Sequence, residues 1–348
     1  MRVYNIEFFT QHFEYRDSIQ AEQFDFSFDY MDIAKSKFKM PAFVKMQKGD
    51  YFRAQASDVE FSGIVTDIKE RKDEKTVSFK PFLKYLDVDI MIAFDTSQSV
   101  EAFLKELLDA EYVNNTDTYE NIAGLTVGTK STTAAVYGYD FCDGIHNLYD
   151  IFLYAFEVYG VVADFKMNPA TRSIICSIGK VGEELFTIEA DLDNVFDRKI
   201  IIKEAKDTVN KIYIYNEEDY AQTVTYYKGQ DDTVSTLPET RITPVIVKSV
   251  IIKVGVNETF KEKALAKAMS DLKATKYENL IEIECEEDDL LVRPHTRKIG
   301  QAANIIKNET SYSTVLTGYQ YKSGRVTLIF GTIRLELTKL LKKKWRKG

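Results

Sequence analysis

The chain has 348 residues, of which 45% are hydrophobic and 29% are charged, and its formal net charge is −8. This length exceeds one ordinary hydrophobic core and predicts two to four compact units, while the composition is typical of a folded globular protein. The acidic balance argues against tight binding of nucleic acid, because that binding requires clustered Lys and Arg.

Three cysteines are scattered along the chain, at positions 142, 176 and 285. Their odd number argues against a disulfide framework and favours a reducing site of synthesis. The N-terminus lacks a basic start followed by an unbroken apolar run, and the most apolar stretch, ITPVIVKSVIIKVGV, is interrupted by Lys248 and Lys253. We therefore expect neither a secretion signal nor a membrane anchor.

Residues 1–93 are predicted to be all-β. In QFDFSFDY, aromatic residues alternate with polar ones, which places four aromatic side chains on one strand face: Phe24, Phe26, Phe28 and Tyr30. KGD at 48–50 predicts a turn, and a hairpin follows it at 61–82.

Residues 94–206 are predicted to mix helices and strands. Behind a polar start that can cap it, one helix carries a single apolar stripe: Val100, Phe103, Leu104, Leu107 and Leu108. A second helix is predicted over 145–160, where Gly160 supplies the stop. A hairpin follows this helix, so the segment is predicted to be α/β.

Residues 207–277 are predicted to form a second α/β segment. Its helix has the strongest pattern in the chain, with Thr259 and Glu262 as a capping box and one predicted buried stripe: Phe260, Ala264, Leu265, Ala268, Met269 and Leu272. Residues 278–337 return to a β pattern. The basic tail at 338–348 is interpreted as a solvated terminus, although Trp345 suggests a docking contact.

The N-terminal hairpin has a second copy at 312–331. FSGIVT begins the first copy at Phe61, and YSTVLT begins the second at Tyr312, so each opens with an aromatic residue, Ser, any residue, two aliphatic residues and Thr. Each copy then passes through a polar turn into a second β-rich run. The sequence therefore predicts an internal duplication.

Both copies carry apolar side chains on both strand faces. In the first copy Phe61 and Val65 oppose Ile64 and Ile68, and in the second copy Tyr312 and Leu316 oppose Val315 and Tyr319. A sheet of this kind must be covered on both faces. One face can close a small barrel, and the other needs another domain or another chain. A duplicated module with an apolar outer face favours assembly into a ring, in which copies of the module contact one another.

No catalytic motif is present in the sequence. The three histidines, His12, His146 and His295, lie in no zinc-binding or metalloprotease spacing, and no cysteine has a nearby histidine. GLTVGTKST at 124–132 resembles a phosphate-binding loop, but Thr129 stands where that loop needs a glycine before lysine. We interpret it as a polar turn, and we expect no catalytic residue, cofactor or metal.

Six carboxylates lie within eight residues: Glu282, Glu284, Glu286, Glu287, Asp288 and Asp289. The calcium-binding spacing of an EF-hand is absent. On a strand, the first three would share one face opposite Ile281, Ile283 and Cys285. This face is either a solvated strand face or the lining of a passage from which anions are repelled.

Nearly the whole chain resembles the tail-tip hub proteins of long-tailed bacteriophages, which form the N-terminal structural region of tail-associated lysins and are related to baseplate hubs of contractile tails and to secretion-system spikes. The resemblance is carried by KMQKGDYFRAQ and VEFSGIVTDI near the start, and by VRPHTRKIGQAANIIKNETSYSTVLTGYQYKSGRVTLIFGTIRLELTK near the end. It implies an α+β multidomain fold in which two similar small β-barrel domains flank two α/β domains. The implied boundaries are 1–93 and 278–337 for the barrels, 94–206 and 207–277 for the α/β domains, and 338–348 for the tail.

The resemblance also implies a function without catalysis. It implies a virion protein at the tail tip, made in the host cytoplasm, whose homotrimer offers six barrels in a ring and adapts a sixfold tail to a threefold tip. The implied partners are a distal tail protein hexamer, the tape measure protein, and receptor-binding or baseplate proteins, while DNA passes through a channel that the hub closes or guides.

Two sets of residues are assigned as hypotheses within this scheme. Phe61, Val65, Tyr312 and Leu316 are expected to contribute to contacts between barrels. Glu282, Glu284 and Glu286 are expected to line the channel and repel DNA. The alternative functions are a cell-wall hydrolase, which would need a carboxylate pair or a Cys/His or zinc site, and a carbohydrate-binding adhesin, for which the abundant aromatic residues are the argument.

Overall fold

The computed structural model describes most of the chain, in thirteen segments: residues 3–22, 24–33, 35–57, 59–93, 98–133, 143–180, 185–195, 197–202, 209–229, 233–240, 245–254, 259–272 and 279–332. The predicted basic tail at 338–348 and Cys142 lie outside the described residues.

The described residues are rich in β-strand, with 49% in strands and 17% in helices. In chain order the strands are β1 Tyr4–Phe9, β2 Tyr15–Ala21, β3 Phe26–Asp29, β4 Ser36–Pro41, β5 Tyr51–Ala56, β6 Val59–Glu70, β7 Glu74–Lys80, β8 Asp89–Ile92, β9 Leu125–Thr129, β10 Gly144–Asn147, β11 Val161–Asn168, β12 Ser173–Lys180, β13 Phe186–Glu189, β14 Asp197–Ile202, β15 Lys211–Asn216, β16 Thr223–Lys228, β17 Val234–Ser235, β18 Val247–Ile252, β19 Asn279–Glu286, β20 Ala302–Lys307, β21 Thr310–Lys322 and β22 Arg325–Phe330.

In the described part of the chain, three α-helices accompany these strands: α1 Val100–Tyr112, α2 Leu148–Tyr154 and α3 Phe260–Leu272. Shorter helical turns lie at Phe82–Leu86, Ala155–Tyr159, Pro238–Thr240 and Pro294–Thr296. At 13 residues each, α1 and α3 are the longest helices in the described part of the chain, and no helix there has the length and apolar sequence needed to cross a membrane.

Two large sheets contain the two copies of the repeated hairpin. The first has the order β2-β1-β5-β6-β7-β4, and its neighbouring strands are antiparallel. The second has the order β13-β20-β21-β22-β19-β14, and β3 from the start of the chain also pairs with β21. The remaining described strands form a two-stranded sheet (β10-β8), a three-stranded sheet (β11-β12-β9) and a four-stranded sheet (β17-β16-β15-β18).

The second sheet gathers strands from distant parts of the sequence. β13 and β14 lie within the segment predicted as 94–206, yet β13 pairs with β20 and β14 pairs with β19. The predicted limits of the domains did not anticipate this, because a strand's own residues do not specify which sheet it joins. The division of the chain into compact domains stays a prediction.

Both faces of the repeated hairpins are covered, as the two-sided apolar pattern predicts. Phe61, Val65 and Leu316 belong to one core cluster, which lies within and between the two large sheets. Ile64 and Val315, on the opposite faces, belong to a second cluster that includes the buried residues of α1 and α2. The outer faces are therefore covered by helices and strands of the same chain.

The predicted division of the faces was wrong for Ile68 and Tyr319. Both pack against the first cluster, on the side of Phe61 and Leu316, because the register shifts between Val65 and Asp67 and between Leu316 and Gly318 reverse the alternation.

The helices follow the predicted patterns, with two differences. The second helix was predicted over 145–160, but its first residues belong to strand β10, and α2 begins at Leu148 behind Asn147, whose side chain accepts a hydrogen bond from the N–H of Tyr149 at 3.2 Å. Ser99 caps α1, since its side chain accepts a hydrogen bond from the N–H of Ala102 at 3.3 Å, and Gly160 ends the turn after α2 with a φ of 67°. In α3, Thr259 Oγ1 accepts from the N–H of Glu262 at 3.3 Å. However, only part of the predicted α3 stripe is buried, as described next.

Helix α3 packs on the four-stranded sheet through a narrow line of residues. Ala264, Ala268 and Leu272 are fully buried there, in a cluster with residues of β15 and β16. Leu265 and Met269, which were predicted to be buried, are 39% and 41% exposed. The prediction was wrong for these two residues because a helix on one flat sheet covers less than its whole apolar stripe.

Candidate assembly site

The two repeated hairpins have the same strand register. Every residue pair between β5 and β6 has a counterpart between β20 and β21 exactly one repeat later, at an offset of 251 positions: Ala54 pairs with Phe61, and Ile305 pairs with Tyr312. The same offset relates the β6–β7 pairs from Val65 onward to the β21–β22 pairs. The repeated sequence therefore folds twice into one three-stranded unit.

Each hairpin contains a β-bulge at the same threonine. The register shifts between Val65 and Asp67 in the first copy and between Leu316 and Gly318 in the second, which places the bulge at Thr66 and Thr317. Thr66 Oγ1 donates a hydrogen bond to the carbonyl of Ser78 at 3.2 Å. Thr317 Oγ1 donates to the carbonyl of Ile329 at 3.1 Å and to that of Gly331 at 2.8 Å. The bulge bends both hairpins in the same place.

A glycine turn before each three-stranded unit is repeated as well. Gly49 and Gly300 have φ angles of 93° and 83°, in the region that favours glycine. The N–H of Gly49 donates to the carbonyl of Val65 at 2.8 Å, and the N–H of Gly300 donates to that of Leu316 at 2.7 Å. Sequence reasoning missed this turn as part of the repeat, although a comparison at a fixed offset of 251 positions reveals it.

Three of the four residues assigned to contacts between barrels are buried within the chain. Phe61, Val65 and Leu316 are 4%, 1% and 0% exposed, and Tyr312 is half-buried. The ring of Phe61 lies 4.9 Å from that of Tyr321, so the two hairpins contact each other inside one chain. Little of these side chains is left for contact with another chain, and replacing Leu316 would therefore perturb folding.

Strand β3 joins the N-terminal part of the chain to the second hairpin. Phe28 lies opposite Tyr319 in the register of β3 and β21, and their rings stack with centroids 5.5 Å apart. Gly318 lies beside this pairing. A Cβ atom at Gly318 would lie 2.7 Å from the carbonyl oxygen of Phe28, so glycine permits the close approach of the two strands.

Along the acidic strand β19, buried residues alternate with more exposed glutamates, as predicted. Ile281, Ile283 and Cys285 are fully buried, while Glu282 and Glu284 are half-buried and Glu286 is exposed. Glu284 Oε1 accepts a hydrogen bond from Arg325 Nη1 at 2.8 Å. The three glutamates thus share one face of the strand, and the placement of that face in an assembly stays a prediction.

Two of the remaining carboxylates of the acidic cluster, Glu287 and Asp289, have separate structural roles. Glu287 is buried and accepts a hydrogen bond from the hydroxyl of Tyr4 at 3.1 Å. Asp289 Oδ1 accepts from the N–H groups of Leu291 and Val292, at 2.8 Å each, and so caps a turn. Within the described ranges, no group of three or more His, Cys, Asp or Glu side chains is placed to hold a metal ion.

The three histidines lie apart on different elements, and the two described cysteines are buried. His12 is in the turn after β1, His146 is on β10 and His295 is in the helical turn Pro294–Thr296. Burial raises the pKa of Cys176, and it raises the pKa of Cys285 to about 12. Both thiols are therefore protonated at neutral pH and are poor nucleophiles.

The loop that resembles a phosphate site is occupied by a side chain of the protein. Glu101 on α1 is fully buried, and its carboxylate accepts hydrogen bonds from Ser131 Oγ at 3.1 Å and from Thr133 Oγ1 at 2.9 Å. It also accepts from the N–H of Thr133 at 3.0 Å. A buried carboxylate that uses these donors leaves no place for a phosphate. The interpretation of 124–132 as a polar turn was wrong, because Leu125–Thr129 forms strand β9, which pairs with β12.

Comparisons with known proteins identify the fold. The tail protein from Neisseria meningitidis MC58 matches with a TM-score of 0.57 and 12% identity over 94% of this chain and 96% of its own. Prophage tail protein gp18 from Listeria monocytogenes EGD-e matches with a TM-score of 0.55 and 12% identity, over 99% and 100%. A chain of the phage P2 baseplate in its activated conformation matches with a TM-score of 0.50 and 11% identity, over 97% and 100%.

Comparison of the amino-acid sequence with protein families and with curated proteins assigns the chain to no family. No family model and no curated protein matches the chain. The fold is nevertheless similar to that of phage tail and baseplate proteins, and a chain of the Francisella PdpA-VgrG complex also matches, with a TM-score of 0.53 and 10% identity over 95% of this chain and 53% of its own. The resemblance derived from the sequence is thus confirmed at the level of the fold.

Proposed function

We propose that this chain is a structural virion protein at the distal end of a phage tail, where a trimer of the chain forms a hub. The hub adapts the sixfold symmetry of the tail to a threefold tip, and it closes or guides the channel through which DNA leaves. The observation that carries this proposal is the three-stranded unit that occurs twice at one register.

The duplication supplies the symmetry that the proposal requires. Closed rings of identical subunits present the same surface once per subunit. A chain with two like units presents it twice, so three chains offer six. A sixfold tail ring can then contact a trimer through six similar surfaces, formed in this scheme by the two proposed β-barrels of each chain.

The acidic composition suits a channel for DNA. Duplex DNA carries about one negative charge per 1.7 Å of its axis. The net charge of −8 and the glutamate face of β19, Glu282, Glu284 and Glu286, would repel this charge and prevent adhesion during ejection. In this scheme DNA passes through without specific binding.

The proposed partners follow from the position at the tail tip. They are a distal tail protein hexamer on the tail side, the tape measure protein in the channel, and receptor-binding or baseplate proteins on the outside. We infer no catalytic activity for the chain itself, since the separate histidines and the protonated thiols described above favour no hydrolase.

The mass of the purified protein in solution tests the trimer. The chain has a mass of 40.0 kDa, so native mass spectrometry is expected to give three times this value. Particle images by negative stain are expected to show a central hole. A chain that remains a single subunit even when mixed with tail tubes would contradict the proposal.

A further inference from the structure

Each repeat carries a loop that begins and ends with equivalent hydrogen bonds. The first loop follows β4: the N–H of Ala42 donates to the carbonyl of Asp73 at 3.2 Å, and the loop returns at Gly49. The second follows β19: the N–H of Glu287 donates to the carbonyl of Gly324 at 3.1 Å, and the loop returns at Gly300. Asp73 and Gly324 are 251 positions apart, the same offset that relates the hairpins, so the two loops leave their sheets at the same place.

The tip of each loop exposes a large apolar side chain next to a buried valine. In the first loop Phe43 is 78% exposed and Val44 is fully buried. In the second loop Leu291 is 67% exposed and Val292 is 1% exposed, and the preceding Leu290 is 76% exposed. We call Phe43 the first tip, and Leu290 with Leu291 the second tip. Both valines belong to the same core cluster, so each tip is fixed to its sheet from below.

The two tips share their position in the repeat and their apolar character, but they differ in the charge of the neighbouring residues and in the length of the loop. Lys45 lies two residues after the first tip, whereas Asp288 and Asp289 precede the second. The first loop also reaches its glycine after seven positions and the second after thirteen. A partner that recognises both tips must therefore do so through apolar contact rather than charge.

Single exposed apolar residues are ordinary on protein surfaces. Here the same feature recurs at equivalent places in two units whose other side chains have diverged, such as Gly63 and Thr314 at one repeat position. Two like tips on one chain fit a partner that presents the same apolar pocket twice, and a ring of identical subunits does this.

We propose that the two tips are equivalent docking points for one ring of identical tail subunits, and that neighbouring subunits of this ring receive the first and the second tip in the same apolar pocket. This inference rests on the proposed function, because it names the surface through which the hub meets a tail ring.

Photo-crosslinking in assembled tails tests the proposal. p-Benzoylphenylalanine is placed at position 43 in one variant and at position 291 in another, and tails are assembled with each and irradiated. Position 119 is the control, because Tyr119 is an aromatic residue that is 96% exposed and lies outside both repeats. Both tip variants are expected to crosslink to the same polypeptide and to the same tryptic peptide within it, and the control is not.

Charged substitutions provide a second readout. F43D alone and L290D with L291D are each expected to lower incorporation into tails by about tenfold, as for exposed anchors of an interface, while Y119D is not. The melting temperature of each purified variant is expected to equal that of the wild type, because these side chains are exposed.

The outcomes separate this inference from the proposed function. Crosslinks from the two positions to different polypeptides, or to a second copy of this chain, would overturn the inference, as would a loss of incorporation in only one of the two tip variants. If the wild-type protein itself does not enter tails, the proposed function is wrong and the inference falls with it.

Discussion

The first and second repeats agree in backbone and differ in side chains. The turn before β5 contains Gly49 and Asp50, and the turn before β20 contains Gly300 and Gln301. Asp50 Oδ2 accepts from the N–H of Gln47 at 2.7 Å, and Gln301 Oε1 accepts from the N–H of Lys298 at 3.3 Å. The carboxylate of Asp50 and the side-chain amide of Gln301 thus accept equivalent hydrogen bonds from the backbone. The two copies therefore share the geometry of the turn and not the residue at this position.

The surroundings of the two repeats differ more than the repeats do. On one edge, β5 pairs with β1 in the antiparallel sense, whereas β20 pairs with β13 in the parallel sense. Asp50 also forms an ion pair with Arg16 at 3.2 Å. Each copy has therefore been adapted to a different neighbour while its hairpin kept one register. Substitutions at equivalent positions of the two copies can show which side chains stabilise the hairpin itself and which stabilise its contacts with neighbouring strands.

The largest expected effect is at the repeat position shared by Phe61 and Tyr312. Phe61 is buried between the ring of Phe26 on β3, at 4.3 Å, and that of Tyr321 in the second hairpin, at 4.9 Å, whereas Tyr312 is half-buried. F61A is expected to lower the free energy of unfolding by about 3–5 kcal/mol. Y312A is expected to cost about 1 kcal/mol. Urea unfolding followed by circular dichroism measures both, and equal losses would contradict the placement of Phe61 between the hairpins.

The next effect concerns Gly318 and its counterpart Asp67. G318A places a Cβ atom 2.7 Å from the carbonyl oxygen of Phe28, so β3 must shift, at a cost of about 1–3 kcal/mol. Among the described strands, none besides β7 pairs with β6 at Asp67, whose side chain is 41% exposed, so D67A is expected to be nearly neutral. Hydrogen exchange of β3 amides, such as that of Phe28, provides the local measurement. Unchanged protection in G318A would show that β3 does not depend on this glycine.

An effect of similar size is expected at the bulge. Thr317 is buried and donates to two carbonyls, whereas Thr66 is half-buried and donates to one. Replacement by the isosteric valine removes these bonds, so T317V is expected to cost about 1–3 kcal/mol and T66V about 1 kcal/mol. Thermal unfolding of the two variants ranks them. The reverse ranking would mean that the hydroxyl groups do not hold the bulges.

The smallest effect is a dependence on pH found near the first tip. The pKa of Asp17 lies below its usual range because its carboxylate accepts hydrogen bonds from the N–H of Lys45, at 2.8 Å, and of Ser18, at 2.9 Å. A lowered pKa stabilises the fold above the pKa of the unfolded chain, and this contribution is lost as pH falls through the folded value. The melting temperatures of D17N and the wild type are therefore expected to converge in acid. A difference that is constant with pH would contradict this.

Local features of the fold were predictable from the sequence because they depend on neighbouring residues. The Ser99 cap, the Gly160 stop and the capping box of Thr259 follow rules that act within one turn of helix, and they are present. The two hairpins followed from the repeated motif, and the alternation of β19 followed from its period of two.

Contacts between distant segments were not predictable in this way. The pairing of β3 with β21, the joining of β13 to β20 and the exposure of Leu265 depend on which element lies opposite, and the pattern of a segment does not specify its partner. The apolar pattern on both faces of β6 predicted that Phe61 contacts another barrel. It did not specify whether that barrel belongs to the same chain or to another chain. In the structure Phe61 meets Tyr321 of the same chain.

Electron cryo-microscopy of the assembled tail tip tests the central claim most directly. The account predicts a ring of three chains in which the β5–β6–β7 units and the β20–β21–β22 units alternate at one radius, about 60° apart, against a sixfold ring. Repeats that lie at different radii, or a tip with a number of chains other than three, would contradict it.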